Sequence, residues 1–393
     1  MKLAFVTPWY GRDIPGGAET EVRHVAEHLR ATGFEAEVWT TCVRDFYGDW
    51  GQNYHRPGVE TINGVPVRRF PVGPRDRAAF DAINWKLMND QAVTELEERT
   101  FIEQMLRVDG LYDHIARQAD QALLFFIPYM FATTYYGAQV CPDRSYLIPC
   151  FHDEAYARLR LFQPVFQAVK GMLFLSAPEQ QLAARLFDLA RQDTHVIGAG
   201  VDLEHQGNAT AFRAKFRHEG PFVLYAGRRE PGKNIELLVD YFRRYRQARP
   251  GAANLVFIGP GAMPVSLTHE PGILDLGFVS AQDKWDAYAA AAVVCQPSVK
   301  ESFSLTIMEA WAAGAPVLVH AQGAVTSDHC RRANGGLYFS GYAEFEACLD
   351  VLLARPDLRM RLGQQGRTYV QRNFSWDVII DKYRAIIERS ALA

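Results

Sequence analysis

Apolar runs of strand length alternate with segments of helical period along the whole chain. That alternation predicts an α/β fold in which parallel strands are buried on both faces by helices. Residues 2–8 read as a strand, 10–18 as a glycine-rich loop, and 19–31 as an amphipathic helix with Val22, Val25, Ala26 and Leu29 on one face and Gly33 just past its end. Residues 35–41 and 65–72 read as further strands, and the polar periodic stretch 81–118 as helices outside the sheet. Runs at 122–129, 146–151, 172–176 and 195–197 continue the strands, with Pro178 opening a helix over 178–189.

The pattern resets after residue 197, where a polar, glycine-containing stretch runs to Asn208. Beyond it the same logic repeats, with strands at 222–226, 255–258, 273–279, 293–296, 316–320 and 337–339 and helices at 234–248, 282–292 and 304–313. Two doubly wound sheets in tandem are expected. The expected domains are residues 1–197, residues 198–374 and a final segment 375–393, in which Val378, Ile379, Tyr383, Ile386 and Ile387 recur at helical spacing.

Composition narrows the function. The 393 residues are 48% hydrophobic and 22% charged, which excludes a disordered or low-complexity chain. Up to residue 194 there are 20 basic and 25 acidic side chains, and 22 and 20 beyond it. Neither half has the basic excess that a phosphate backbone demands, so nucleic acid is not an expected partner. Six cysteines lie far apart with no C-x-x-C, which predicts reduced thiols in a cytoplasmic setting and no structural zinc. No apolar run approaches a membrane span, and Leu3–Val6 is too brief for a signal peptide. A cytoplasmic protein is expected, with scope for peripheral contact at the inner face of a membrane.

Several segments could carry chemistry. The loop Gly11-Arg12-Asp13-Ile14-Pro15-Gly16-Gly17-Ala18 follows the first strand, where a doubly wound sheet has its ligand crevice. Adjacent glycines let a backbone approach a ligand and the next helix offers its positive end to an anion, so phosphate is one reading. A turn needed only for chain reversal is the other. After the first strand of the second half comes Gly227-Arg228-Arg229-Glu230-Pro231-Gly232-Lys233-Asn234. Arg228 and Lys233 could converge on a diphosphate, or the turn could be a solvated basic one; of its arginines, Arg229 is expected to be the exposed one. Glu301 and Glu309 lie eight positions apart across the start of a helix, whose free N–H groups at Phe303, Ser304 and Leu305 suit an anion while the carboxylates suit sugar hydroxyls. A solvated helix carries such a pair equally well. His152 ends an apolar strand and precedes a helix, at a crevice edge or in a purely structural place.

Taken together, these segments resemble family 4 of the retaining glycosyltransferases, enzymes of the GT-B fold. The resemblance spans nearly the whole chain: Gly16-Gly17-Ala18-Glu19, Phe151-His152-Asp153, Gly227-Arg228 with Lys233, Gly259-Pro260-Gly261, Leu276-Gly277-Phe278-Val279, and Glu301 to Glu309 followed by Ala310-Trp311-Ala312-Ala313-Gly314-Ala315-Pro316-Val317. It implies two facing Rossmann-like domains with a cleft between them, an acceptor-side first domain, a nucleotide-sugar donor domain, and a last helix from Phe374-Ser375-Trp376 that crosses back.

The implied activity is transfer of a sugar from a nucleoside diphosphate donor, UDP or GDP, to an acceptor hydroxyl with retention, in cell-surface polysaccharide or glycolipid synthesis. By the same resemblance Arg228 and Lys233 bind the diphosphate, Glu309 holds the ribose, and Glu301 with the backbone of Phe303, Ser304 and Leu305 binds the donor sugar. His152 contacts that sugar from the opposite domain, Gly16 and Gly17 line the phosphate and acceptor side, and Phe278 and Val279 lie near the base. No Asp-x-Asp occurs, so no metal or other cofactor is expected. Ser302 and Ser304 depart from the family's usual glycines, and Gln322-Gly323-Ala324-Val325-Thr326 departs from its usual double-glycine loop. Another nucleotide-sugar enzyme of the same fold, such as an epimerase, and a non-catalytic nucleotide-binding scaffold are the alternatives.

Overall fold

The apolar runs become strands because helices cover both of their faces. In the computed structural model, which describes residues 2–261 and 270–392, the chain divides into two units, Met1–Gly200 with Ile379–Ala393, and Val201–Val378.

The first unit is built on strands β1 (Lys2–Val6), β2 (Ala36–Thr41), β3 (Gly58–Ile62), β4 (Val65–Phe70), β5 (Ala122–Phe126), β6 (Ser145–Leu147), β7 (Gly171–Phe174) and β8 (Asp193–Val196). They form one sheet in the order β3-β4-β2-β1-β5-β6-β7-β8. All neighbours are parallel except β3 and β4. Phe5 of β1 lies beside Val38 and Phe125, so the centre of the sheet is a row of wholly buried side chains. The helix Gly17–Ala31 packs Val22, Val25, Ala26 and Leu29 inward, as their spacing predicts, and Glu21 with them.

Strand β3 falls outside the sequence reading because none of its residues is buried, so it has no hydrophobic period. Its signal is the turn: Asn63 and Gly64 both have positive φ (48° and 81°), which suits the Asn-Gly type I′ hairpin. The stretch read as outer helices divides into Arg77–Met88, Glu95–Glu103 and Asp109–Gln118. Two of the starts are capped. The Ala79 N–H donates to Asp76 at 3.0 Å, and Thr94 with Glu97 forms a capping box. Residues of the last helix, Trp376–Leu392, complete this unit. The Tyr383 ring stands edge-on to Phe5 and Phe125 at 6.4 and 5.9 Å, and Lys382 Nζ donates to the Ile197 carbonyl at 2.7 Å.

The second unit has strands β9 (Phe222–Ala226), β10 (Asn254–Ile258), β11 (Ile273–Asp275), β12 (Val293–Gln296), β13 (Val317–His320) and β14 (Gly336–Phe339). All are parallel, in the order β11-β10-β9-β12-β13-β14. The chain winds outward one way from β9 to β11, then crosses to lay β12 on the other side of β9. The gap between the loops after β9 and β12 is therefore a topological switch point, the usual ligand crevice of such sheets. Around this sheet the helix Ile235–Ala248 buries Leu238, Val239, Phe242 and Tyr245. Val201 pairs with Ser375, and Trp376 Nε1 donates to Asp202 at 2.8 Å, so the two ends of this unit are tied together.

Candidate functional site

At the switch point of the second unit, the loop after β9 and the loop after β12 are joined by side chains. Asn234 adopts φ 54° just before the helix Ile235–Ala248 and donates from Nδ2 to the Pro297 carbonyl at 3.1 Å. One residue earlier Lys233 ends a short 3-10 turn, and its Nζ donates to Glu301 Oε1 at 2.8 Å. The Glu301 side chain is only 11% exposed, and Gln296 at the end of β12 reaches the same oxygen at 3.5 Å. Thus the ammonium and the carboxylate, far apart in sequence, occupy one spot. Beneath them Tyr225 donates to the Arg228 carbonyl at 2.7 Å, and burial, then the nearby Glu301 and Glu230, push its phenol well above the usual range. The Arg228 guanidinium lies 3.3 Å from Glu230.

Its neighbour reverses the sequence expectation. Arg229, read as the exposed member of the pair, has only 3% of its side chain exposed and is bonded to Asp275 and to the Gly261 carbonyl. It is a brace from the loop after β9 to the loop after β10 and the end of β11. Backbone bonds reinforce it, from Gly227 N to Ile258 O at 3.0 Å, Arg229 N to Pro260 O at 3.1 Å and Gly259 N to Gly277 O at 2.8 Å. The loops approach so closely that a Cβ on Gly259 would meet the Gly227 carbonyl oxygen at 2.2 Å, which explains the glycine there. Strand β11 stops at Asp275, short of the expected end at 279. Phe278 is 75% exposed on the loop that follows, and Val279 is half-buried.

The helix Leu305–Ala312 starts at the same switch point, with Thr306 Oγ1 donating to the Ala226 carbonyl at the end of β9 (3.2 Å). Its first N–H groups have no partner within the helix. Phe303 itself is a core side chain, edge-on to His329 and Phe374 at 5.3 and 5.0 Å, so only its backbone is offered to a ligand. Ser304 sits at φ 70°, a left-handed conformation that glycine adopts without cost, and it is buried. One turn beyond Thr306, Glu309 accepts from Lys284 Nζ on Oε1 at 2.6 Å and from the Tyr288 hydroxyl on Oε2 at 2.9 Å. Burial and then Glu309 hold the Tyr288 phenol well above its usual range, so it remains a donor. Lys284 and Tyr288 were not among the sequence candidates. They lie one turn apart on the helix Ala281–Ala290, and only their shared face hinted at a joint role.

In the first unit the switch point lies between β1 and β5, beside the loop that carries Gly16 and Gly17. Trp9 Nε1 donates to Glu19 Oε1 at 2.8 Å, and Arg23 reaches the Gly11 and Ile14 carbonyls at 3.4 Å, which shapes that loop. Gly16 has φ 145°, and a Cβ there would lie 1.9 Å from Glu19 Oε2. His152 follows β6 and is half-buried, with Nδ1 3.6 Å from Glu154 Oε1. The adjacent Phe151 N–H donates to Glu179 at 2.7 Å, and the Leu175 N–H to its other oxygen at 2.6 Å. Burial pushes the Glu179 carboxyl up to about 8.

Among the described residues no three His, Cys, Asp or Glu side chains gather as metal ligands, and no helix is long and apolar enough to cross a membrane.

Residues 208–369 match the family model described as glycosyl transferases group 1. The D-inositol 3-phosphate glycosyltransferase of Gordonia bronchialis is 30% identical over 393 residues, covering 93% of this chain and 82% of that protein. That of Jonesia denitrificans is 28% identical over 411 residues, covering 96% and 92%. Among solved structures, sucrose-phosphate synthase from Thermosynechococcus elongatus aligns with a TM-score of 0.75 at 18% identity, over 99% of this chain and 98% of that one. The Anabaena protein HepE in complex with UDP aligns with a TM-score of 0.72 at 14% identity, over 99% and 100%. Its two Rossmann-like units are those of the GT-B fold class, and the chain belongs to the glycosyl transferases group 1.

Proposed function

We propose that this glycosyltransferase moves a sugar from a nucleoside diphosphate donor to an acceptor hydroxyl with retention, and that its second unit holds the donor. The observation that supports this most is the meeting of Lys233 and Glu301 at the β9/β12 switch point, on the loop that leads into the helix carrying Glu309. Lys233 has three N–H donors, and its bond to Glu301 leaves two for phosphate oxygens. Together with the Arg228 guanidinium it matches the charge that grows on a departing diphosphate, which is where preorganised cations act most strongly. Glu301, with the N–H groups of Phe303, Ser304 and Leu305, binds the transferred sugar. Glu309 accepts from the ribose, and the exposed Phe278 with Val279 serves the base. The first unit contributes His152 to sugar hydroxyls and Gly16-Gly17 to the phosphate and acceptor side.

The reaction in this reading is a front-face displacement: the acceptor oxygen attacks as the phosphate leaves, and the leaving phosphate takes the acceptor proton. In this reading Glu301, paired with Lys233, serves as a binding carboxylate, and it is the residue that would act as nucleophile if retention went by double displacement instead. Arg228 and Lys233 supply the positive charge without a metal. The acceptor is a glycan or glycolipid. Exposed aromatic rings at Phe46, Tyr47 and Tyr54, on the loop after β2, offer faces on which sugar rings stack.

The test is a melting-temperature screen with UDP, GDP and ADP, followed by turnover of the matching sugar donors. A nucleotide that binds the native state raises the melting temperature. If none does and no donor is consumed, the reading fails.

A further inference from the structure

Glu309 would be a poor reader of a ribose if its carboxylate could turn freely. Lys284 Nζ donates to Oε1 at 2.6 Å and the Tyr288 hydroxyl to Oε2 at 2.9 Å, so each oxygen carries one protein donor. A carboxylate oxygen has two acceptor sites, which leaves one on each oxygen facing away from those donors. With no further donor to either oxygen among the described residues, two such acceptors, side by side and held in one plane, match a vicinal diol that donates one hydrogen bond to each. The clamp is itself held. Tyr288 is buried in the helix Ala281–Ala290, and Glu309 sits on a helix whose first turn is tied by Thr306 to the end of β9. Lys284 and Glu309 retain 34% and 21% side-chain exposure, so the open acceptor sites are within reach of a ligand.

We propose that Lys284 and Tyr288 are positioning residues that make Glu309 selective for a ribonucleotide over its 2′-deoxy counterpart. The inference rests on the reading of Glu309 as the ribose-binding carboxylate. It goes further in naming what fixes that carboxylate and what the fixing achieves: a diol gains both bonds at once, whereas a lone hydroxyl gains one.

Calorimetric binding of UDP, GDP and ADP, each against its 2′-deoxy form, tests it with the full chain, using the diphosphate bound most tightly. A lost hydrogen bond to a charged acceptor predicts a wild-type preference of about tenfold or more for the ribonucleotide. Lys284→Met keeps the aliphatic stem and removes the donor. Its preference should fall to about threefold or less, chiefly by weaker ribonucleotide binding, and Lys284→Arg should restore it. Tyr288→Phe should lower the same ratio by removing only the hydroxyl. The ligand-free melting temperature of Lys284→Met should drop by no more than about 4 °C, since the pair is partly exposed. If Lys284→Met keeps the wild-type ratio, or weakens both nucleotides equally, the positioning role is wrong while the donor site stands. If the wild type itself binds both forms equally, Glu309 does not read the ribose, and the reading beneath falls too.

Discussion

Lys233 Nζ lies 2.8 Å from Glu301 Oε1, across 68 positions of sequence. The loops after β9 and β12 converge there only because the chain reverses its winding between those strands. Replacing Lys233 by Met removes the charge but not the stem, and should lower kcat by about a hundredfold or more, in keeping with loss of a preorganised group at a leaving phosphate. Steady-state turnover with the preferred donor measures it. A variant with unaltered kcat would take Lys233 out of the reaction.

Two adjacent arginines should behave oppositely. Arg228 is partly exposed beside Glu230 and is the one assigned to the diphosphate, whereas Arg229 is buried against Asp275 and the Gly261 carbonyl. Arg229→Met leaves Asp275 without that cation and should destabilise the protein by about 2 kcal/mol. Arg228→Met should cost less than about 1 kcal/mol yet depress kcat strongly. Urea unfolding and turnover of the two variants, measured side by side, decide whether this division holds.

The neighbouring glycines Gly16 and Gly17 also separate. A Cβ on Gly16 collides with the Glu19 carboxylate that Trp9 donates to, and φ is positive there, whereas a Cβ on Gly17 meets nothing within 4 Å. Gly16→Ala should therefore cost about 1–3 kcal/mol and impair activity. Gly17→Ala should leave stability within about 0.5 kcal/mol. Equal melting temperatures for the two variants would contradict the clash.

Glu21 predicts a pH dependence. Its carboxyl is buried beneath the helix Gly17–Ala31, and its Oε1 has no hydrogen-bond partner among the described residues. Burial pushes it up to about 8, and the Tyr383 phenol, likewise without a hydrogen-bond partner among the described residues, is raised by burial and then by Glu21 and Cys150. Because the folded value exceeds the unfolded one, the neutral acid is favoured in the fold. Stability is then full below about pH 4.5 and is lost at about 1.4 kcal/mol per pH unit as pH rises toward about 8. Glu179 titrates in the same window, so Glu21→Gln should remove part of the slope and make the variant more stable than wild type at pH 9. Urea midpoints at pH 5, 7 and 9 check the sign, and a Gln variant weaker at pH 9 would refute it.

Much of the architecture was legible along the chain because periodicity is a local property. Strands β9 and β12 coincide with the runs 222–226 and 293–296, and burial on both faces leaves them apolar up to the polar Gln296 that closes β12. Strand β3 is not legible in this way because an exposed edge has no such run, and its only local signal is the Asn63-Gly64 turn. The helix Ala324–Ala333 was hidden by polar residues that the fold buries, Thr326, Ser327 and His329. Of the candidate site, Arg228, Lys233, Glu301 and Glu309 were visible as residue types at suggestive intervals. The burial of Arg229 and the grip of Lys284 and Tyr288 on Glu309 were not.

By itself, then, the sequence determined most of the strands and helices, that they wind into two largely parallel sheets, and where loops rich in glycine and charge interrupt them. Only the tertiary structure decided which charges meet. A hydrophobic period is set by neighbours within a turn or a pleat, but a hydrogen bond such as Lys284 to Glu309 exists only after strand order and helix packing have brought two distant backbones to the same few ångströms.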